Sequence, residues 1–260
     1  MKSEIKYLFI LIFAGWSSLN SCKKHEATPK NNLVDPKPEE PQNPSAYRPA
    51  KLTSGKSVIL FSYTKAAALY KADYGDGDST LLKFNTSGKP AELSRYANGK
   101  MVSTTYYSRD QNGNITKAQI YLVSGNDELK SGSYQIAYSS EGKIANVSYY
   151  DKDNRMVEEQ VYGYTTAGNL STQKSTLLTA QYGYDLKNGL FKNAGYAWLF
   201  ALEKEGSLFL SVVNNIEQCS YPLVAGKNET FSYSYNTAGY PVAITTSVAG
   251  VTATAKVTYQ

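Results

Sequence analysis

One recurring unit constrains this chain more than any other feature, and its clearest copy is Phe231-Ser232-Tyr233-Ser234-Tyr235-Asn236-Thr237-Ala238-Gly239-Tyr240-Pro241-Val242-Ala243-Ile244. Aromatic residues alternate with small polar ones, a polar turn ends in Gly, and a second alternating run follows. Period two places Phe231, Tyr233 and Tyr235 on one face of a strand. Asn and Gly supply the left-handed backbone angles of a tight reversal, so the unit reads as a β-hairpin. Related copies align on Gly88, Gly113, Gly142, Gly168, Gly189 and Gly239 as turn residues. Upstream, alternate positions pair as Leu82/Phe84, Ile136/Tyr138, Tyr162/Tyr164, Tyr182/Tyr184 and Tyr233/Tyr235; two places after the glycine come Pro90, Ile115, Ile144, Leu170, Phe191 and Pro241. Second reversals fall at Asn98-Gly99, Gly125-Asn126, Asp153-Asn154 and Gly226-Lys227. Each unit of roughly 25 residues is therefore two strands. The fold class expected is all-β: an antiparallel meander of repeated hairpins forming one strongly curved or barrel-like sheet.

The first residues do not share this rhythm. Lys2 and Lys6 precede an apolar run, Tyr7 to Trp16, that is too short to span a bilayer. The run ends in Leu19-Asn20-Ser21-Cys22, which resembles the lipobox of bacterial lipoproteins. That resemblance implies cleavage of residues 1–21 and acylation of Cys22, with several acyl chains giving lasting attachment. From residue 22 to 56 the composition turns to Pro, Lys, Glu, Asn and Gln, with Pro29, Pro36, Pro38, Pro41, Pro44 and Pro49. Such a segment buries too little apolar surface to order itself and reads as an extended tether. Residues 57–260 then form one β domain, long enough for a single sizeable core. Within it, Ala66 to Tyr70 fits either a helical turn or a bulged strand.

Several chemistries are excluded by residue counts. The single histidine, His25, lies in the tether, so the domain has no Ser-His-Asp triad, Cys-His pair or multi-histidine metal site. With Cys22 acylated, Cys219 has no disulfide partner and reads as a small buried hydrophobe. The net charge of +5 is spread through the repeats without a Lys/Arg cluster, which argues against nucleic acid. Two-carboxylate hydrolysis needs no histidine, but Glu158 and Glu159 point to opposite faces of a strand and no pair stands out. The chain is expected not to be an enzyme and to need no cofactor. Asp73, Asp76 and Asp78, in the Gly-rich stretch Asp73-Tyr74-Gly75-Asp76-Gly77-Asp78, are the weak candidate for Ca²⁺; an exposed hairpin tip explains them as well. Asp78-Ser79-Thr80 resembles an O-glycosylation acceptor triplet of some Gram-negative gut bacteria, and equally a turn-to-strand junction.

After Gly189 the alternation stops, and residues 193–204 carry apolar residues at helical spacing, a short helix or buried loop capping an open end of the sheet. Tyr184-Asp185 with Lys187-Asn188 and Phe191, then the apolar insert, then Asn214-Asn215-Ile216, resembles a family of lipoprotein-borne domains of unknown function from Gram-negative gut bacteria with a porin-like β fold. The family's motif has Pro after the Asn where this chain has Gly189. The resemblance spans roughly 57–260 and implies no catalytic residue. A weaker likeness is to the tyrosine-containing YD repeats of bacterial surface proteins.

The chain holds 23 Tyr against 8 Phe and 2 Trp. Rings with nearby amides hold sugars well, and Tyr is also a good strand former that covers a half-wet face; its recurrence at the same place in every unit favours the structural reading. Strands such as Gln160-Val161-Tyr162-Gly163-Tyr164 are too short to offer lipid an apolar face. The expectation is an outer-membrane lipoprotein facing periplasm or cell surface, attached to the membrane through Cys22 and binding glycan or an envelope protein. The alternative is a structural or adhesive module without a small ligand. Replacing Cys22 by Ala is predicted to move the protein out of the membrane fraction; retention after a carbonate wash would contradict the lipobox.

Overall fold

The computed structural model describes residues 47–260 apart from 177, 223 and 225–227. The leader, Cys22, His25 and the reversal at Gly226-Lys227 lie outside the described residues. Alternation becomes strands throughout: β1 (Pro49–Ser54), β2 (Ser57–Tyr63), β3 (Leu69–Gly75), β4 (Asp78–Phe84), β5 (Pro90–Ala97) and β6 (Lys100–Arg109) come first. Next are β7 (Ile115–Ser124), β8 (Asp127–Tyr138), β9 (Ile144–Asp151), β10 (Met156–Tyr164), β11 (Leu170–Lys174) and β12 (Thr179–Tyr184). An insert holding α1 (Ala197–Leu202) and a 3₁₀ turn (Ser207–Leu210) precedes β13 (Ile216–Ser220), β14 (Glu229–Tyr235), β15 (Pro241–Val248) and β16 (Val251–Tyr259). Each strand pairs antiparallel with the next, and β16 returns to pair with β1, closing a barrel of sixteen strands among the described residues.

Closure corrects the expected domain boundary. The tether was expected to run to residue 56, yet Pro49–Ser54 is β1, with Leu52 opposite both Val257 and Ile59. Pro49 is tolerated because it is the first residue of its strand. Tyr47, also within the expected tether, is buried and stacks on Tyr240 at 4.7 Å between ring centroids. The main chain of Gln260 donates to the Arg48 carbonyl. Proline-rich composition concealed a strand that the barrel needs.

Two kinds of turn recur, and the β9–β10 turn carries the five-residue form to the upper rim, with Asp151 Oδ1 accepting from Asp153 and Arg155. At the upper rim Asp76-Gly77, Asn98-Gly99 and Ala249-Gly250 take positive φ at both central residues, the twist-compatible hairpin geometry. At the lower rim a five-residue turn repeats. The residue after each strand-ending side chain accepts backbone N–H groups two and four places on, as Asp110 Oδ1 does from Asn112 and Asn114. Gly88, Gly113, Gly142, Gly168 and Gly239 occupy the left-handed position of this turn. In the β2–β3 turn that position is Ala67, at φ 62, so the Ala66–Tyr70 stretch is a lower-rim turn leading into β3.

Gly189 does not belong to this set. It has no left-handed φ and lies inside the insert, where a Cβ would meet the Ser211 carbonyl oxygen at 2.6 Å. The true counterpart of the lower-rim turn here is split. Asp185 N–H donates to the Asn215 carbonyl, Asn215 N–H to Asp185 Oδ1, and Asn215 Nδ2 to Asp185 Oδ2. Asp110 and Asn114 make the same side-chain bonds across an ordinary turn. Residues 186–214 thus replace the three residues between Asp110 and Asn114, and the Asp–Asn clasp survives the insertion.

The insert does not cap an open sheet, because the sheet is closed; it runs into the lumen. Phe191 and Phe209 meet Phe61 of β2 edge-on at 5.3 and 6.2 Å, and Phe209 stacks on Phe200 of α1 at 5.2 Å. Gly195 forms a parallel bridge with Ala68. Inward rows of the wall carry Leu52, Phe61, Leu82, Leu93, Tyr134, Val147 and Phe231, all in the core with the insert. Outward rows carry residues such as Thr230, Ser247 and Thr252, or Ser232, Thr245 and Thr254, side by side across β14, β15 and β16. A lipid-spanning barrel needs an apolar band on that outward face. Across β14 to β16 hydroxyls point out, while Leu60, Val102, Val157 and Val161 are exposed on other strands.

Candidate functional site

Alternation that aims most of the repeat's aromatics inward meets an insert that covers only part of the wall. On α1, Ala197, Leu199 and Phe200 are buried along one arc, leaving Trp198, Ala201 and Leu202 half-buried on the other. Phe200 is directed to β2 through Phe209, and Glu203 just beyond the helix reaches β6 and β8. None of these contacts reaches β9 to β12. On that wall Tyr149, Tyr162, Tyr182 and Gln173 point inward yet keep accessible surface. Inward side chains that keep accessible surface mark a candidate cleft between the insert and β9 to β12.

The cleft wall is one hydrogen-bonded strip. Tyr182 OH donates to Gln173 Oε1 at 3.0 Å, and Gln173 Nε2 to Gln160 Oε1 at 2.7 Å. Tyr162 OH donates to the same Gln160 oxygen at 2.9 Å, and Gln160 Nε2 to Glu158 Oε1 at 3.1 Å. Burial, ahead of neighbouring charges, raises the phenol pKa of Tyr149 and Tyr182 well above the ordinary 10.0. They remain neutral rings with hydroxyls available for hydrogen bonds. Strands β11 to β13 are only five or six residues long against ten and twelve in β7 and β8, which brings Gln173 and Tyr182 near the upper mouth.

Polar groups also fix the insert. Glu203 Oε1 accepts from Tyr134 OH at 2.5 Å and Tyr107 OH at 3.0 Å, and its Oε2 from Thr105 Oγ1 at 3.2 Å. Tyr74 OH donates to Glu205 Oε2 at 2.8 Å. Arg95 Nε lies 2.6 Å from Glu205 Oε1, an ion pair by proximity whose angle falls short of a hydrogen bond. Ser207 Oγ donates to Glu229 Oε2 at 2.7 Å. Lys204, between the two docking glutamates, is exposed in the cleft with Nζ 5.5 Å from the Tyr149 ring centre.

The sequence-derived candidates fall elsewhere. Asp73 is engaged by Lys71 Nζ at 2.7 Å, Asp78 accepts the Asn98 N–H at 2.8 Å, and Asp76 sits in the turn itself. The three do not converge, and no group of three metal-ligating side chains forms among the described residues. The candidate Ca²⁺ site is a hairpin tip. Thr80 of the glycosylation-like triplet is buried in the lumen opposite Arg95. Cys219 is buried beside Tyr182, and burial pushes its thiol up to about 12, where it is inert. Glu158, Gln160, Gln173, Glu203 and Lys204 were missed as a group, because only strand pairing and the path of the insert bring them together.

No family model matches the chain, and no curated protein matches it. Among solved structures, a porin-like protein from Bacteroides uniformis ATCC 8492 superposes with a TM-score of 0.55 over 85% of this chain and 99% of that one, at 12% identity. At that identity the likeness shows the fold alone. A TcdB2-TccC3 crystal structure matches 79% of this chain and 13% of its own at a TM-score of 0.30 and 12% identity. A Photorhabdus luminescens Tc holotoxin pore matches 76% and 11% at 0.27 and 13% identity. These two are too distant to carry an argument.

Glu203 makes stability depend on pH. Burial is the largest influence and holds its carboxyl above the ordinary 4.5, against the lowering bonds from Tyr134, Tyr107 and Thr105 and the charge of Arg95. The folded state then binds the proton more tightly than the unfolded one. Its contribution is fully present below 4.5 and is lost as pH rises through the folded value. Glu203→Gln is predicted to flatten the decline of the urea midpoint above pH ~4.5. An unchanged decline would assign it to Glu229, whose buried carboxyl is also raised.

Proposed function

We propose that this protein is a non-catalytic binding module of a bacterial envelope, anchored through a lipid on Cys22 and a Pro-rich tether, whose luminal cleft holds a glycan. The observation that carries the reading is the inward, half-buried strip of Tyr149, Tyr162, Gln173 and Tyr182, held by hydrogen bonds through Gln160 and Gln173. Aromatic faces receive the apolar face of a sugar ring, while Gln amides and Tyr hydroxyls meet its hydroxyl groups. Position supports it as well. Tyr47, where the tether joins, lies at the lower rim beside Tyr240 and Tyr259, and the short strands bring the cleft near the upper one. A ligand would reach the cleft from the side away from the anchor.

The polar outward rows support a barrel held near the membrane by its anchor rather than threaded through it. The fold shared with a porin-like protein fits an envelope setting. No reacting group is required of the cleft: its hydroxyls and amides are bonded to one another in a fixed strip.

Trp198 is the only tryptophan beyond Trp16 of the leader, so the fluorescence of the mature chain reports on the cleft. Neutral oligosaccharides are predicted to shift Trp198 emission saturably, and Tyr182→Ala to weaken binding about tenfold with the fold retained. No shift with any oligosaccharide would leave the structural-module alternative standing.

A further inference from the structure

The charges lining the cleft go beyond glycan binding in general. Glu158 lies on the inward row of β10 opposite Tyr149, accepts one bond from Gln160 Nε2, and has no cation at ion-pair distance among the described residues. Tyr149 and Tyr162 flank it, and the phenols of both feel its charge. Elsewhere Glu203 and Glu229 accept from hydroxyls, and Glu205 is matched by Arg95. The side chain of Lys204 shows what the site accommodates: its Nζ lies over the Tyr149 ring, as a bound cation would. Lys204 stands at φ 64 immediately after α1, is exposed, and has no ion-pair partner among the described residues, so its long stem can withdraw.

We propose that the cleft selects ligands bearing a cationic amine, seated over Tyr149 beside the Glu158 carboxylate in the place the Lys204 ammonium now holds, and disfavours acidic sugars. The inference rests on the glycan-binding reading and narrows its substrate class to amino sugars; a cationic lipid headgroup shares the same chemistry. Aromatic faces attract a cation through their quadrupole, and the attraction is strongest where water is excluded. An unpaired carboxylate at the same spot repels a uronate and gains a partner from an ammonium.

The test is titration of the mature protein, residues 22–260, by Trp198 fluorescence at pH 6 with three oligomers of equal length: glucosamine, N-acetylglucosamine and galacturonic acid. The expected order is glucosamine about tenfold tighter than its N-acetylated counterpart, with galacturonic acid weakest. Glu158→Gln is expected to remove the advantage of the amine over the N-acetylated oligomer. Lys204→Ala is expected to tighten the amine further. Vesicles containing phosphatidylethanolamine form the second arm; a Glu158-dependent response to vesicles but not to glucosamine would assign the amine to a lipid. Equal affinity for free and N-acetylated oligomers, or preference for the acid, overturns the inference and leaves glycan binding intact. No response to any sugar or vesicle overturns both.

Discussion

The width of a sixteen-stranded barrel is the constraint to which the rest of this structure answers. Eight strands enclose an interior that side chains can fill, whereas sixteen leave a channel. This wall nonetheless points Leu, Val, Phe and Tyr inward, and apolar side chains around a water-filled bore would gain little from closure. The insert between Asp185 and Asn215 resolves the conflict by supplying Leu190, Phe191, Leu199, Phe200 and Phe209, all buried, from within. Each fully buried Phe or Leu is worth roughly 1.5–3 kcal/mol. Barrel and insert therefore form one core, and neither has a satisfactory interior alone.

The same division produces the site. The insert meets β2, β3, β6 and β8 closely, through aromatic rings and the docking of Glu203 and Glu205. It leaves the tyrosines of β9 to β12 half-exposed. A repeat whose inward aromatics are equivalent in sequence thus gives two environments, one packed and one open. Polarity follows: beside the insert the phenols donate to buried carboxylates, and across the cleft they donate to glutamine amides. One residue type packs against the insert in one half and keeps accessible surface in the other.

Much of the wall was legible because hairpins announce themselves locally. Glycine at a left-handed position and alternation around it place most of the strands. What stayed hidden depends on contacts distant in sequence. Ala67 occupies a glycine position without the signature residue, and Pro49 to Ser54 hides in proline-rich composition because only β16 makes it a strand. Gly189 misled the alignment: it is glycine for close approach to Ser211, not for turning. Ser139 reads as a simple exposed turn residue, yet its Oγ accepts the N–H groups of Glu141 and Lys143. The Asp185–Asn215 clasp is a lower-rim turn split by its own insertion, and no local pattern marks its second half. The cleft was illegible for the same reason, since Gln160, Gln173 and Lys204 meet only after the barrel closes.

The most direct test of the account removes the insert while keeping the turn. Residues 186–214 are replaced by Gln-Asn-Gly, the residues between Asp110 and Asn114, so that Asp185 and Asn215 can close an ordinary lower-rim turn. Near-UV circular dichroism and urea unfolding then report whether the wall stands alone. The account predicts loss of the near-UV signal and of a cooperative transition, with strand content largely retained, because inward apolar rows would face water. A shortened chain that unfolds cooperatively at the parent midpoint would contradict it and show that the barrel supports itself.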